Sequence, residues 1–302
     1  MIDLWIPITV AAAVCQNVRS SLQKHLKGTL STAGATYVRF LFALPFIAIY
    51  LVVLTRVVGL ELPELNGRFF FFACLGGFAQ ILGTAFLIHL FSLRNFVVGT
   101  AFSKTETIQA ALFGILVLSD PITVAALIAI VISLVGVMLL AIASQDVGLR
   151  EAISSVLAKN ALIGLASGGA FGIAAVSYRA ASLSLGTGFV ISAACTLGVV
   201  LVLQALAMTV YLRLKEPGQL TSVANEWKVS SVVGLSGMAA SACWFTAMTI
   251  QNAAHVRALG QVELFFAFAT STLFFRERVR PAELAGVILV VVGIVVLLLW
   301  GE

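Results

Sequence analysis

The chain has 302 residues, of which 61% are hydrophobic and only 10% are charged. Because an ordinary soluble domain carries about 25% charged residues, this composition excludes a water-soluble fold. The net charge is +5, but the sequence contains no basic run of the kind that binds nucleic acid. We therefore expect a lipid bilayer, and no nucleic acid, as partner.

Long apolar runs fill the chain from its first residues to its last. Runs such as 124–143 and 284–300 do not alternate apolar with polar residues, which excludes barrel strands, and each is close to the roughly 20 residues that a spanning helix needs. Glycine, proline and charged residues separate the runs. The pattern predicts ten helices, at 4–24, 31–55, 67–92, 95–118, 121–143, 157–183, 187–214, 228–251, 253–276 and 281–300.

The first predicted helix is unusually polar, with Gln16, Asn17 and Arg19 in its middle. No basic segment or small-residue cleavage site accompanies it, so we expect a retained helix and not a signal peptide. Its counterpart in the second half of the chain is rich in small residues, Gly168, Gly172 and others, which let helices approach closely.

The sequence repeats itself with an offset of 157 residues, which places 95–145 on 252–302. Polar residues and glycines match in register, which apolar composition alone would not produce. The matched pairs are Asn95 with Asn252, Ala101 with Ala258, Glu106 with Glu263, Asp120 with Glu277, Leu127 with Leu284 and Gly136 with Gly293.

Five helices in each repeat predict an inverted architecture, since an odd number of spans reverses the second copy in the membrane. The polar segment near 145–151 divides the chain, so we expect one repeat over residues 1–146 and another over 151–302. Inverted repeats with a site near the bilayer midplane are a recurrent carrier design. The expected fold is therefore all-α and integral to the membrane, with ten transmembrane helices in two inverted five-helix repeats.

Most lysines and arginines of the loops follow odd-numbered predicted helices, for example Lys27, Arg150 and Arg278. The bias of basic residues toward the cytoplasm predicts that these odd-numbered loops are cytoplasmic in the plasma (inner) membrane and that both termini are outside.

Ionisable side chains inside the predicted helices mark candidate sites, because each costs about 2.5 kcal/mol or more at the bilayer centre. The deepest are Arg39, His89, Lys104, Glu106 and Glu263. The glutamates could bind substrate or protons, or could hold helices together by pairing with Arg39 or Lys104. Lys104 and Glu106 are two residues apart and do not share a helix face, so one can face a cavity while the other pairs across a helix contact.

The other candidates each have a structural alternative. His89 could switch with pH, since the ordinary imidazole pKa is ~6.5, or simply form a hydrogen bond. Arg39 could bind a carboxylate or phosphate with its planar guanidinium, or neutralise an acid. Further candidates for a cavity lining or for packing are Gln16, Asn17, Tyr178, Trp244 and Gln261.

Signatures of enzymes are missing from the sequence, which has no HExxH, GxSxG or P-loop pattern. We therefore expect no catalytic residues and no metal ligands. The four cysteines lie in apolar segments without CxxC spacing, which favours buried thiols.

The run Thr100–Glu106 leads to Leu118–Pro121, and the run Ala258–Glu263 leads to Phe275–Arg278. Each repeat thus ends with a helix, a short acidic turn and a helix with a late glycine. Together with Arg39-Phe40 before Pro45, this pattern resembles the EamA-type branch of the drug/metabolite transporter (DMT) superfamily over nearly the whole chain.

The resemblance implies export or exchange of small organic metabolites, amino acids among them, through a cavity between the repeats and without a cofactor. Many relatives carry proline at or near the positions of Glu106 and Glu263, so the kink of helices 95–118 and 253–276 would be missing here. Many relatives also have cytoplasmic termini, in contrast to the orientation that the basic loops predict.

We expect a secondary transporter that moves an amino acid or a related amphipathic solute by alternating access, with proton coupling as an option. The alternative is an antiporter of anionic phosphorylated metabolites, with Arg19, Arg39, Lys104 and Arg257 as candidate cations. A membrane-embedded enzyme and a non-transporting scaffold are less favoured. Since ten helices can enclose a cavity unaided, we expect a functional monomer, with a dimer as the alternative.

Overall fold

The computed structural model describes residues 3–26, 28–91, 102–143, 159–273 and 280–301. Within these ranges the chain is helical and forms no strand. The helices are α1 (Trp5–Leu26), α2 (Thr32–Leu41), α3 (Leu44–Val52), α4 (Gly67–Phe91), α5 (Glu106–Leu118), α6 (Val124–Ala143), α7 (Lys159–Ser184), α8 (Phe189–Lys215), α9 (Gln219–Asn225), α10 (Trp227–Ile250), α11 (Ala253–Gly260), α12 (Val262–Leu273) and α13 (Pro281–Trp300).

Six helical segments of the described chain are long and apolar enough to cross a membrane. They are Thr32–Val57, Gly67–Leu87, Asn160–Ser184, Phe189–Lys215, Trp227–Ile250 and Pro281–Trp300. The shorter apolar helices Glu106–Leu118 and Val124–Leu140 accompany them. The all-helical class is confirmed, while the full set of ten spans and their inverted arrangement stay a prediction.

Three of the predicted helices are interrupted. The segment predicted at 31–55 divides into α2 and α3, because Pro45 stands in the first turn of α3 and lacks the backbone N–H that a continuous helix would use. A single π-helical turn, Val53–Val57, follows. The predicted helices 95–118 and 253–276 are interrupted just before Glu106 and just before Val262. The predicted loop at 215–227 contains the short helix α9.

The described chain forms two compact units, and each contains segments from both halves of the sequence. The first unit comprises residues 1–78 and 177–250, and the second comprises 79–176 and 251–302. Two of the three boundaries fall within α4 and within α7, and the third falls directly after α10. The predicted repeats, 1–146 and 151–302, describe the sequence duplication and stay a prediction.

The first unit is organised around the long contact between α1 and α10, with α8 packed against α2, α3 and α10. Gly234 lets α10 lie directly against the turn between α2 and α3, since a Cβ atom on it would lie 2.4 Å from the carbonyl carbon of Phe42. At one end of this unit Ser31 donates to the Glu216 carboxylate through its hydroxyl, and its backbone N–H donates to Gln219 Oε1 at 3.3 Å.

The second unit is organised around the contact between α6 and α13, which is the most extensive helix pair of the described chain. A Cβ atom on Gly136 would lie 2.7 Å from the carbonyl oxygen of Gly286 and 2.7 Å from the amide nitrogen of Val290. On Gly293, a Cβ atom would lie 2.8 Å from both the Ala129 carbonyl oxygen and the Ser133 amide nitrogen. Only glycine allows the backbones to come this close.

These contacts are reciprocal under the offset of the sequence repeat. Gly136 corresponds to Gly293, and the residues that Gly136 meets, Gly286 and Val290, correspond to Ala129 and Ser133, which Gly293 meets. The two equivalent helices therefore pack with the local two-fold symmetry that is typical of a duplicated structure.

We predict that Gly136→Ala and Gly293→Ala destabilise the protein to a similar degree. Each added methyl group would overlap backbone atoms, and overpacking of this kind costs about 1–3 kcal/mol. Thermal unfolding in detergent measures the loss. Gly67→Ala is the control, since a Cβ there meets nothing within 4 Å. A large loss in only one of the two variants would contradict the reciprocal packing.

Candidate functional site

The second unit contains two helix interruptions at equivalent positions of the repeat. Residues Lys104 and Thr105 form a turn before α5, and Gln261 forms a turn between α11 and α12. At both places the backbone makes short-range bonds, from Thr105 N–H to Phe102 O at 3.1 Å and from Gln261 N–H to Ala258 O at 3.2 Å. The helices are thus interrupted without proline, and the expectation that the kink would be missing was wrong.

Each interruption places a glutamate in the first turn of the helix that follows. Glu106 is the first residue of α5, and Glu263 is the second residue of α12. The unpaired backbone N–H groups at a helix N-terminus carry partial positive charge, which favours a carboxylate there. The equivalent positions of the two acids in the sequence therefore correspond to equivalent places in the fold.

Two ion pairs connect the interruptions crosswise. Nζ of Lys104 lies 3.6 Å from Oε1 of Glu263, and Nη1 of Arg257 lies 3.6 Å from Oε1 of Glu106. Each glutamate is thus paired with a cation from the other repeat. We call these four residues the charge quartet. Its side chains are partly exposed, by 38% for Lys104, 21% for Glu263, 17% for Arg257 and 22% for Glu106.

Two amide side chains fasten the interruptions. Gln261, which is buried, donates to the Thr107 hydroxyl at 3.1 Å and so links the turn before α12 to α5. Gln109 donates to the Thr105 hydroxyl at 2.8 Å and to the carbonyl of Leu165 on α7 at 3.2 Å. The turn that carries Lys104 is therefore anchored to a neighbouring helix.

The glycines of α7 let this helix lie directly against the first turn of α5. A Cβ atom on Gly168 would be 2.8 Å from the Ser103 carbonyl oxygen. On Gly172, it would be 3.0 Å from the Ala110 amide nitrogen and 3.2 Å from the Glu106 carbonyl oxygen. The small residues that the sequence marks as a close-packing face thus support the backbone of Glu106.

Several candidates predicted from the sequence belong to the first unit, whereas the charge quartet belongs to the second. Trp244 is buried and donates its indole N–H to Gln16 Oε1 at 3.0 Å. Tyr178 is buried, stacks on Phe245 at 4.4 Å between ring centroids and donates to the Gly76 carbonyl at 3.0 Å. These contacts show both aromatic residues in packing and hydrogen-bonding roles.

Two of the remaining candidates lie in the first unit, and one lies in the second. The guanidinium of Arg39 lies 4.9 Å from the centre of the Phe40 ring, in the first unit, and Asn17 is half-buried on α1. His89 is exposed near the end of α4, in the second unit.

The sequence identified one of the two observed partners of the acids, Lys104, and missed the other, Arg257. Pairing of the glutamates with Arg39 or Lys104 was the structural expectation, whereas the observed pairs use Lys104 for Glu263 and Arg257 for Glu106. Arg257 was considered only as a cation for anionic substrates. Its position six residues before Glu263 gives no signal of a partner on another helix. Gln109, which anchors the turn, was not considered.

The outer surfaces of the helices are strongly apolar. Leu116, Val124 and Leu214 are each more than 70% exposed, on helices of high apolar content. Apolar surface of this extent is covered by lipid in a folded protein. The fold and composition therefore indicate an integral membrane protein.

Residues 158–299 match the model of the EamA-like transporter family. This match confirms the resemblance over the C-terminal half of the chain and indicates a membrane transporter of the drug/metabolite type. A crystal structure, described only as that of a protein, superposes with a TM-score of 0.70 over 97% of this chain and 96% of its own, at 16% identity. That identity supports the fold alone. No curated protein matches the chain.

We predict that Gly172→Ala destabilises the second unit by about 1–3 kcal/mol, because the added methyl group would press on backbone atoms of α5. Thermal unfolding in detergent measures the effect. Gly77→Ala is the matched control, since the nearest atom to its Cβ would be 3.9 Å away. Equal unfolding midpoints for both variants would show that α7 does not hold α5.

Proposed function

We propose that the protein is a secondary carrier of a small organic metabolite, an amino acid or a related amphipathic solute, that works by alternating access. The observation that carries this proposal is the charge quartet at two equivalent helix interruptions. Interrupted helices whose N-terminal ends carry or face charge are a recurrent way of building carrier sites. The EamA-like match of residues 158–299 supports the same class.

The architecture that we propose has ten transmembrane helices in two inverted repeats. The reciprocal packing of Gly136 and Gly293, which belong to equivalent helices, supports a duplicated structure. An odd number of spans in each repeat would invert the second copy. Basic residues after odd-numbered predicted helices support a plasma-membrane orientation with those loops in the cytoplasm. We further propose that the monomer transports.

Partial exposure of the quartet supports a polar space beside it. Charged side chains that faced lipid tails would cost about 2.5 kcal/mol or more each at the bilayer centre, so the exposed part of each side chain is expected to face water or substrate. Protonation of Glu106 or Glu263 would remove one charge from the quartet. The same groups can therefore couple transport to a proton.

An antiporter of phosphorylated metabolites finds less support. Such substrates need cations whose charge is available to a multivalent anion. In the quartet, Lys104 and Arg257 are each matched by a glutamate, so the group has no net charge. A solute with both signs of charge fits this balance better than a phosphate ester does.

We predict that Glu106→Gln and Glu263→Gln each lower uptake at least tenfold in proteoliposomes, because each leaves a cation of the quartet without its acid. Uptake of a mixture of radiolabelled amino acids would be measured with and without a pH gradient. Loss of stimulation by the gradient in one variant would identify the proton-carrying acid.

The matched control is Glu61→Gln, since Glu61 is exposed in the loop between α3 and α4 and should leave uptake unchanged. Unfolding midpoints and elution profiles establish that each variant is folded. Normal uptake by both quartet variants would remove the glutamates from the transport mechanism.

A further inference from the structure

The charge quartet sets an electrostatic condition on its ligand. Its four side chains carry two positive and two negative charges. A ligand with a single net charge would leave one charge uncompensated, which is costly inside a membrane protein. A zwitterion adds one charge of each sign, so every group can remain paired after binding.

The separations within the two ion pairs are long for charge-assisted hydrogen bonds. In each pair the nitrogen and oxygen are 3.6 Å apart, whereas a charge-assisted N–H···O bond is about 2.7–2.9 Å long. Closer contacts from a ligand would therefore improve on the existing ones. The partial exposure of all four side chains gives a ligand access to them.

We propose that Arg257 binds the carboxylate and Glu106 binds the ammonium group of a small zwitterion whose two charges are separated by one carbon atom. The inference rests on the proposed carrier function and assigns its charge-recognition site. Because the guanidinium of Arg257 and the carboxylate of Glu106 are neighbours, only a ligand with closely spaced charges can contact both groups at once. On binding, the ligand takes the place of their mutual contact.

The Arg257–Glu106 pair is better suited to this role than the Lys104–Glu263 pair. A guanidinium binds a carboxylate through two parallel N–H donors, which an ammonium group cannot do. Glu106 keeps the favourable field of the α5 N-terminus when Arg257 turns to the ligand. The backbone of Glu106 is also held against Gly172 of α7. Lys104 and Glu263 then remain as a neutral neighbouring pair.

The first test compares ligands on the purified protein by thermal shift, because a ligand that binds the folded state raises the unfolding temperature by mass action. L-Leucine is compared with 3-methylbutylamine, which lacks the carboxylate, with N-acetyl-L-leucine, which lacks the positive charge, and with 6-aminohexanoate, whose charges are far apart. We expect the three analogues to need at least about tenfold higher concentrations than L-leucine for an equal shift.

Equal shifts from L-leucine and its analogues would overturn the assignment. To avoid dependence on one side chain, glycine and L-phenylalanine are tested as well. Absence of a shift from all three α-amino acids at millimolar concentration would also overturn it.

The second test separates the two pairs with charge-conserving variants. Arg257→Lys keeps the positive charge but removes the two-donor contact, so we expect it to weaken L-leucine binding about tenfold. Lys104→Arg should weaken binding less than Arg257→Lys does. Arg56→Lys, on an exposed side chain, is the matched control and should bind normally. Normal binding by Arg257→Lys would contradict the proposed carboxylate site.

Flux of radiolabelled L-leucine into proteoliposomes distinguishes this site from the carrier function. A selective thermal shift without flux would contradict the carrier while the binding site stands. Flux that the amine and the N-acetyl analogue inhibit as strongly as L-leucine does would contradict the site while the carrier stands.

Discussion

A carboxylate within an apolar helical protein needs positive charge close to it. In the second unit, two ion pairs supply this charge to Glu106 and Glu263. Glu106 and Glu263 each form an ion pair with a cation from the other repeat. Lys104, two residues before Glu106, pairs with Glu263, and Arg257, six residues before Glu263, pairs with Glu106. Because each acid pairs with a cation from the other repeat, the ion pairs connect the two interruptions and also neutralise each acid. The resulting group is neutral overall but contains both signs of charge.

Glycine contacts bring the backbones close enough for this arrangement to persist. Gly168 and Gly172 let α7 lie against the residues that begin α5, and Gln109 anchors the intervening turn to the carbonyl of Leu165. In the same unit, Gly136 and Gly293 bring α6 and α13 into reciprocal contact. Helices in a membrane gain little from hydrophobic exclusion of water, so close packing of small residues and hydrogen bonds supplies much of their association. The charged site thus depends on a scaffold of small residues.

The sequence predicted the helical membrane fold well because apolar runs of spanning length leave few alternatives in lipid. It also identified the equivalence of Glu106 and Glu263, since the repeat preserves their register. It did not predict the division of segment 31–55 into α2 and α3, although Pro45 was a visible signal. It could not predict the crossed pairing, because the partners are distant in the sequence and their meeting depends on tertiary packing. The interruptions before α5 and α12 were missed because only proline was considered as their cause, whereas turns with short-range backbone bonds and side-chain anchors produce them here.

Exchange of charges between the four residues of the quartet tests the crossed pairing. The unfolding midpoint would be measured for the double variant Lys104→Glu with Glu263→Lys, which reverses an observed pair, and for Lys104→Glu with Glu106→Lys, which reverses the two charges at one interruption. We expect the first variant to recover most of the stability lost by its single substitutions. We expect the second to be the least stable, because it places like charges against Glu263 and Arg257. Recovery in the second variant but not in the first would show that the crossed pairs do not form.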